Sequence, residues 1–85
     1  MWSVTYTAEA IKALTVMDRT IAKRIRAKIV ALARDPLAPN NNVRKLTGIA
    51  GWRLRVGDWR VVYTLRREIL TVVVIRVGHR REIYQ

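Results

Sequence analysis

Residues 51 to 63, GWRLRVGDWRVVY, constrain the fold of this chain more than any other stretch. Trp52, Leu54 and Val56 alternate with Arg53 and Arg55, the period of a half-buried strand. Gly57-Asp58 follows, a pair suited to a two-residue hairpin turn because Gly takes a positive φ without steric cost. Trp59 to Tyr63 then form the return strand. With that loop, Val56 pairs with Trp59, Arg55 with Arg60 and Arg53 with Val62, and directly opposed residues point to the same face. The hairpin therefore has two unlike faces. Trp52, Leu54, Val56, Trp59, Val61 and Tyr63 make a core wall, while Arg53, Arg55 and Arg60 gather on the other side. Like charges opposed across strands repel, so this face either binds an anion or splays its arginines into solvent.

The chain on either side of the hairpin supplies helices first and strands afterwards. Trp2 to Tyr6 alternate as an opening strand. Thr7 caps a short helix from Ala8 to Val16, with Glu9 in its first turn and a narrow apolar stripe of Ile11 and Leu14. Asp18 caps a second helix from Arg19 to Ala33. Ile21, Ile25, Ile29 and Leu32 recur there at helical spacing, with Ala22 and Ala33 beside them. Arg19, Lys23 and Arg26 lie on the opposite side with Arg24 and Lys28 on the flanks, a pattern read as a solvated surface, with contact to nucleic-acid phosphates as the lesser alternative. Asp35-Pro36 ends the helix, since the residue before proline is pushed out of the helical region.

A loop rich in asparagine leads to a short edge strand, Val43 to Leu46, whose charges discourage edge-to-edge pairing. After the hairpin, a two-residue Arg67-Glu68 loop would set Arg60 opposite Ile75 and Val62 opposite Val73. Ile69 to Val77 is a continuous β-branched run, suited to an interior strand buried on both sides. The expected fold is a single α+β domain over residues 1–85. It has an N-terminal strand and a two-helix hairpin packed on one face of a mainly antiparallel sheet of four to five strands.

Composition bears chiefly on partners. A formal charge of +11 on 85 residues points to nucleic acid first, an acidic protein second and an anionic membrane last. The chain has no cysteine, one histidine and six scattered acidic residues, so neither disulfides nor a dedicated metal site are expected. Neither a secretory signal nor an apolar run long enough to span a bilayer is apparent, and a cytoplasmic location is expected. The tail, Gly78 to Gln85, carries His79, Arg80, Arg81 and Tyr84 directly behind the central strand. If it folds back, Arg80 and Tyr84 join the hairpin arginines.

The helix pair, Arg44-Lys45-Leu46 followed by Gly48, the hairpin, and VIRVGHRREIY near the end together resemble the RelE side of the RelE/ParE toxin superfamily. These are toxins of type II toxin–antitoxin pairs, and the likeness covers nearly the whole chain. It implies a ribosome-dependent, metal-independent endoribonuclease without cofactor, which enters the ribosomal A site, cuts mRNA there and is neutralised by a cognate antitoxin. The family's catalytic positions fall on Arg53, Arg55, Arg60, Arg80 and Tyr84. Arg44 and Lys45 are expected to contact RNA or the ribosome. The first-strand positions are often lysine in this family and are arginine here. The tail is shorter than in some members, so Arg81 is an alternative to Arg80.

The implied reaction is attack of a ribose 2′-OH on its own 3′-phosphate. It needs a proton acceptor, charge stabilisation at the phosphorus and a proton for the leaving 5′-oxygen. Arginine suits the second task and, with a pKa above ~12, is a poor base. That leaves Tyr84 and His79 for proton transfer. The alternatives are a ParE-like toxin directed at DNA gyrase and a non-catalytic basic module that binds RNA or an acidic protein.

Overall fold

In the computed structural model, which describes residues 1–83, the expected hairpin is the middle of a five-stranded sheet. The elements run β1 (Ser3–Tyr6), α1 (Ala8–Val16), α2 (Arg19–Ala33), β2 (Val43–Lys45), β3 (Trp52–Val56), β4 (Trp59–Arg66), β5 (Thr71–His79) and α3 (Arg80–Ile83). Strand order is β1-β5-β4-β3-β2, with β1 parallel to β5 and every other pair antiparallel. No helix among the described residues is long and apolar enough to cross a membrane.

The capping residues fix the helix limits. The Thr7 hydroxyl accepts the backbone N–H of Ala10 at 3.2 Å, and the Asp18 carboxylate accepts that of Thr20 at 3.4 Å. Both helices pack on one face of the sheet. Ala10 and Leu14 of α1, with Ala22, Ile25, Ile29, Leu32 and Ala33 of α2, meet Leu54, Val56, Val61, Tyr63, Val72, Val74 and Val77 in one core. Ile11, expected in the apolar stripe of α1, is 51% exposed. The helix turns its Ala10–Leu14 line inward because the small Ala10 allows close approach to the sheet.

Register across β3 and β4 is as the two-residue turn requires: Val56↔Trp59, Arg55↔Arg60, Leu54↔Val61, Arg53↔Val62 and Trp52↔Tyr63. Gly57 carries the turn at φ +59°.

The next connection differs from expectation. Strand β4 runs on to Arg66, Arg67 to Ile69 form a single 3₁₀ turn, and Leu70 enters the left-handed region at φ +46°. The loop is thus longer than Arg67-Glu68, and Ile69 and Leu70 sit exposed in it instead of in the strand. A bulge then shifts the pairing between Val62↔Arg76 and Tyr63↔Val74, so Arg60 faces Gly78 and not Ile75. The bulged Ile75 offers its carbonyl to the Thr7 hydroxyl, which donates at 2.6 Å. One side chain therefore caps α1 and ties it to the irregularity in β5. That strand is interior as expected but not buried on both sides, since its outer face carries the exposed Arg76.

Candidate functional site

The outer face of the sheet, away from the helices, collects arginines in two cross-strand rows. One row holds Arg44, Arg53, Val62 and Arg76; the other holds Arg55, Arg60 and Gly78. Opposed residues share a face, so five guanidinium groups project from the same side. A cleft of about 230 Å³ opens among Asn41, Asn42, Arg44, Arg53, Arg55 and Arg60, with no carboxylate among the described residues of its lining.

Arg60 differs from its neighbours. It is only 8% exposed, and its Nη1 donates to the backbone carbonyls of Gly57 and Trp59, both at 2.9 Å. The hairpin turn therefore orients this guanidinium, and the guanidinium in turn satisfies the turn's carbonyls. Arg55 reaches sideways instead, its Nη2 donating to Asn42 Oδ1 at 3.0 Å.

The start of the tail returns to the hairpin. The backbone N–H of Arg80 donates to Asp58 O at 2.7 Å, and Arg80 Nε lies 3.8 Å from Asp58 Oδ1. Arg80 thereby joins Arg55 and Arg60 in lining a larger cleft of about 850 Å³ beyond the end of β2. Arg81 is exposed and does not line it. Its backbone N–H donates to His79 Nδ1 at 3.3 Å, while Glu82 Oε1 accepts the N–H of His79 at 3.3 Å. This reciprocal pair caps α3 in the manner of a capping box.

Two residues singled out from the sequence fall elsewhere. His79 pairs with Trp59 on the helix side of the sheet, its ring edge-on to the indole at a centroid distance of 5.6 Å. It is separated from the arginine rows by the sheet itself. Lys45 is opposite Trp52, so it too points away from the face that Arg44 occupies. Tyr84 lies outside the described residues.

The sequence reading missed Arg76, because the bulge at Ile75 alone returns it to the arginine face. Arg24 and Lys28, read as flanks of a solvated basic face with phosphate contact as the lesser alternative, are exposed and also line the larger cleft together with Arg34. The helical spacing of Arg24 and Lys28, four residues apart, was the available signal.

Chemically, the arrangement favours anions. Guanidinium forks bind phosphate or carboxylate oxygens bidentately and stay charged at any working pH. The set resembles a phosphate cradle with one rigid member, Arg60, and several adjustable ones. Among the described residues, no group of three or more His, Cys, Asp or Glu could hold a metal ion.

Residues 4–84 match the family model described as the ParE toxin of type II toxin–antitoxin systems, parDE. No curated protein matches the chain by sequence. Among solved structures, the chain is similar to one in a RelBE toxin–antitoxin complex from Mycobacterium tuberculosis, at 26% identity and a TM-score of 0.80 over 92% of this chain and 96% of that one. The intact RelBE complex of E. coli gives 23% identity and a TM-score of 0.79, covering 93% and 96% of the two chains. A YoeB/ParE toxin from Agrobacterium tumefaciens gives 19% and 0.76, covering 91% and 96%. The likenesses establish that the sheet order and helix pair are those of this fold. With a family model matched along nearly its whole length, the chain belongs to the RelE/ParE superfamily of toxins of type II toxin–antitoxin systems.

Proposed function

We propose that this toxin is an endoribonuclease that cuts mRNA in the ribosomal A site. The observation that carries the reading is the register of the hairpin, which sets Arg55 against Arg60 with Arg53 and Arg44 in the adjoining row on one face of the sheet. A phosphodiester approaching a dianionic transition state gains charge stabilisation from guanidinium groups gathered in this way. In this reading Arg53, Arg55 and Arg60 hold the non-bridging oxygens as the 2′-oxygen bonds to phosphorus and the P–O5′ bond breaks, leaving a 2′,3′-cyclic phosphate and a 5′-OH protonated from water. Arg80, held beside the turn by Asp58, supplies further charge stabilisation. Tyr84, which lies outside the described residues, is the proposed acceptor of the 2′-OH proton. Nothing in the chemistry calls on a metal or an organic cofactor.

The ribosome is expected to hold the mRNA in an attack-ready geometry, since the chain offers no second strong base of its own. A cytoplasmic site of action follows from that substrate. An antitoxin partner is supported by the RelBE toxin–antitoxin complexes among the similar structures, and an acidic segment would suit the arginine face.

A second reading has its own support, because the matching family model is that of ParE toxins. A toxin of that kind would act on DNA gyrase and have no need of the arginine rows. The test is primer extension on an mRNA in a reconstituted translation system, with and without ribosomes. New 5′ ends inside A-site codons only in the presence of ribosomes are expected, and Arg53→Gln with Arg55→Gln should remove them. No cleavage by folded, antitoxin-free toxin, together with inhibition of gyrase supercoiling, would transfer the assignment to the ParE-type activity.

A further inference from the structure

The larger cleft is two-walled. Arg55, Arg60 and Arg80 stand on the hairpin side, and Arg24, Lys28 and Arg34 stand on the side of α2 and the loop after it. Its volume, about 850 Å³, exceeds the smaller cleft severalfold and suits an extended ligand. The two clefts share Asn42, Arg55 and Arg60, so a strand seated over the arginine rows meets the α2 wall without leaving a basic path. Two carboxylates, Asp35 and Asp58, accompany the six cations of the lining. Asp58 already faces Arg80, and among the described residues neither Arg24 nor Lys28 forms a salt bridge. Helix α2 itself, RTIAKRIRAKIVALA, contains no acidic residue that might neutralise them.

From this continuity we infer that Arg24, Lys28 and Arg34 form a subsite for backbone phosphates of the same RNA strand, flanking the one held over Arg53, Arg55 and Arg60. The assignment rests on the nuclease reading and extends it from one phosphate to several. Among the described residues no aromatic side chain lines the cleft, and the subsite, with its lining cations of α2, suits the sugar–phosphate chain. Its contribution is to place the strand, which makes Arg24 and Lys28 positioning residues.

The experiment uses the full-length toxin and single-stranded RNAs carrying 2′-O-methyl groups throughout, which removes the nucleophile and leaves binding alone. Affinity is read by fluorescence anisotropy across a series of salt concentrations for a trinucleotide and a decanucleotide. Arg24→Gln with Lys28→Gln should weaken decanucleotide binding about tenfold and reduce its log–log salt slope by about 1.4, two phosphate contacts at ~0.7 each. The trinucleotide, too short to reach from the arginine rows to α2, should be unaffected. The charge-matched control is Arg19→Gln with Lys23→Gln, on the separate groove between α1 and α2, and should change little.

An equal effect of the two charge pairs would reduce the inference to net charge and overturn it, as would an equal penalty on both RNA lengths. Loss of binding in Arg53→Gln with Arg55→Gln but not in the α2 pair would refute the subsite alone. Unchanged binding in both would refute the nuclease reading as well. Decaglutamate that displaces the decanucleotide and depends more strongly on Arg24 and Lys28 would assign the cleft to an acidic protein segment instead.

Discussion

Tyr63 is fully buried at the centre of β4, stacked on Trp52 with ring centroids 6.0 Å apart, and its hydroxyl finds no hydrogen-bond partner among the described residues. A buried hydroxyl left unpaired costs about 1–3 kcal/mol. Replacing Tyr63 by Phe removes that penalty and leaves a void of roughly 15 Å³, which costs about 0.4 kcal/mol at 24 cal/mol per Å³. The variant should therefore be more stable by about 1–2 kcal/mol at pH 7, raising Tm by about 4–15 °C for a domain of this size. Alkaline pH gives an independent reading. Burial pushes the Tyr63 phenol up to about 12 from its usual 10, so the unfolded chain loses this proton first as pH rises. Stability that is whole below pH 10 is lost progressively toward pH 12, by about 1.4 kcal/mol at pH 11 relative to neutrality. Tyr63→Phe escapes that loss. Tyr6, whose phenol burial also raises, titrates in both proteins and cancels from the difference. Urea unfolding at pH 7, 9 and 11 makes the measurement. A variant no more stable than wild type at pH 7, or a gap that fails to widen by pH 11, would refute the burial argument.

Three further outcomes are expected from urea unfolding. A Cβ at Gly51 would stand 3.0 Å from the carbonyl oxygen of Tyr63, a backbone atom of an interior strand that cannot easily give way, so Gly51→Ala should cost about 1–3 kcal/mol. Full stability in that variant would mean the strand adjusts freely. Thr7→Val keeps the shape of the side chain but loses both the cap to Ala10 and the bond to Ile75, and a loss of about 1–2 kcal/mol is expected, against one under half that if the bulge finds another donor. Arg60→Ala should destabilise by about 2–4 kcal/mol because Gly57 and Trp59 lose their donor, with Arg60→Lys recovering part of it. Unchanged stability in the alanine variant would show that the turn does not need the guanidinium; otherwise Arg60→Ala is a poor probe of chemistry, and Arg53 and Arg55 are better ones.

Where local signals agreed, the sequence was readable. Thr7, Asp18 and Pro36 bounded the helices, and alternation around Gly57-Asp58 fixed a hairpin register that admits no slip without turning arginines into the core. The connection after β4 had no such marker. Its left-handed position is filled by Leu70, a residue that does not announce a positive φ, and the bulge at Ile75 lies within a run of β-branched residues equally content on either face. Both errors moved the register of β5, but only the bulge changed its parity and so hid Arg76. The site was legible to the same degree: Arg53, Arg55 and Arg60 follow from alternation alone. The wall formed by Arg24 and Lys28 depends on how α2 lies across the hairpin edge, a tertiary fact that helical periodicity does not contain. His79 looked like a base by residue type, yet strand parity puts it with Trp59.

The partnership of β1 with β5 also sets an order of events during synthesis. Ser3 aligns with Thr71 and Tyr6 with Val74, so β1 waits for β5. Until β5 is available, β1 and β4 each lack a neighbour and the helix pair has only part of a sheet to cover. Contacts so distant in sequence close late, after most of the chain's entropy has already been spent. A polypeptide arrested between residues 60 and 71 has all three hairpin arginines and no finished sheet to hold them. For a toxin, this topology ties the assembly of the arginine face to the synthesis of β5, so fragments that stop short of it should be harmless to the cell that makes them.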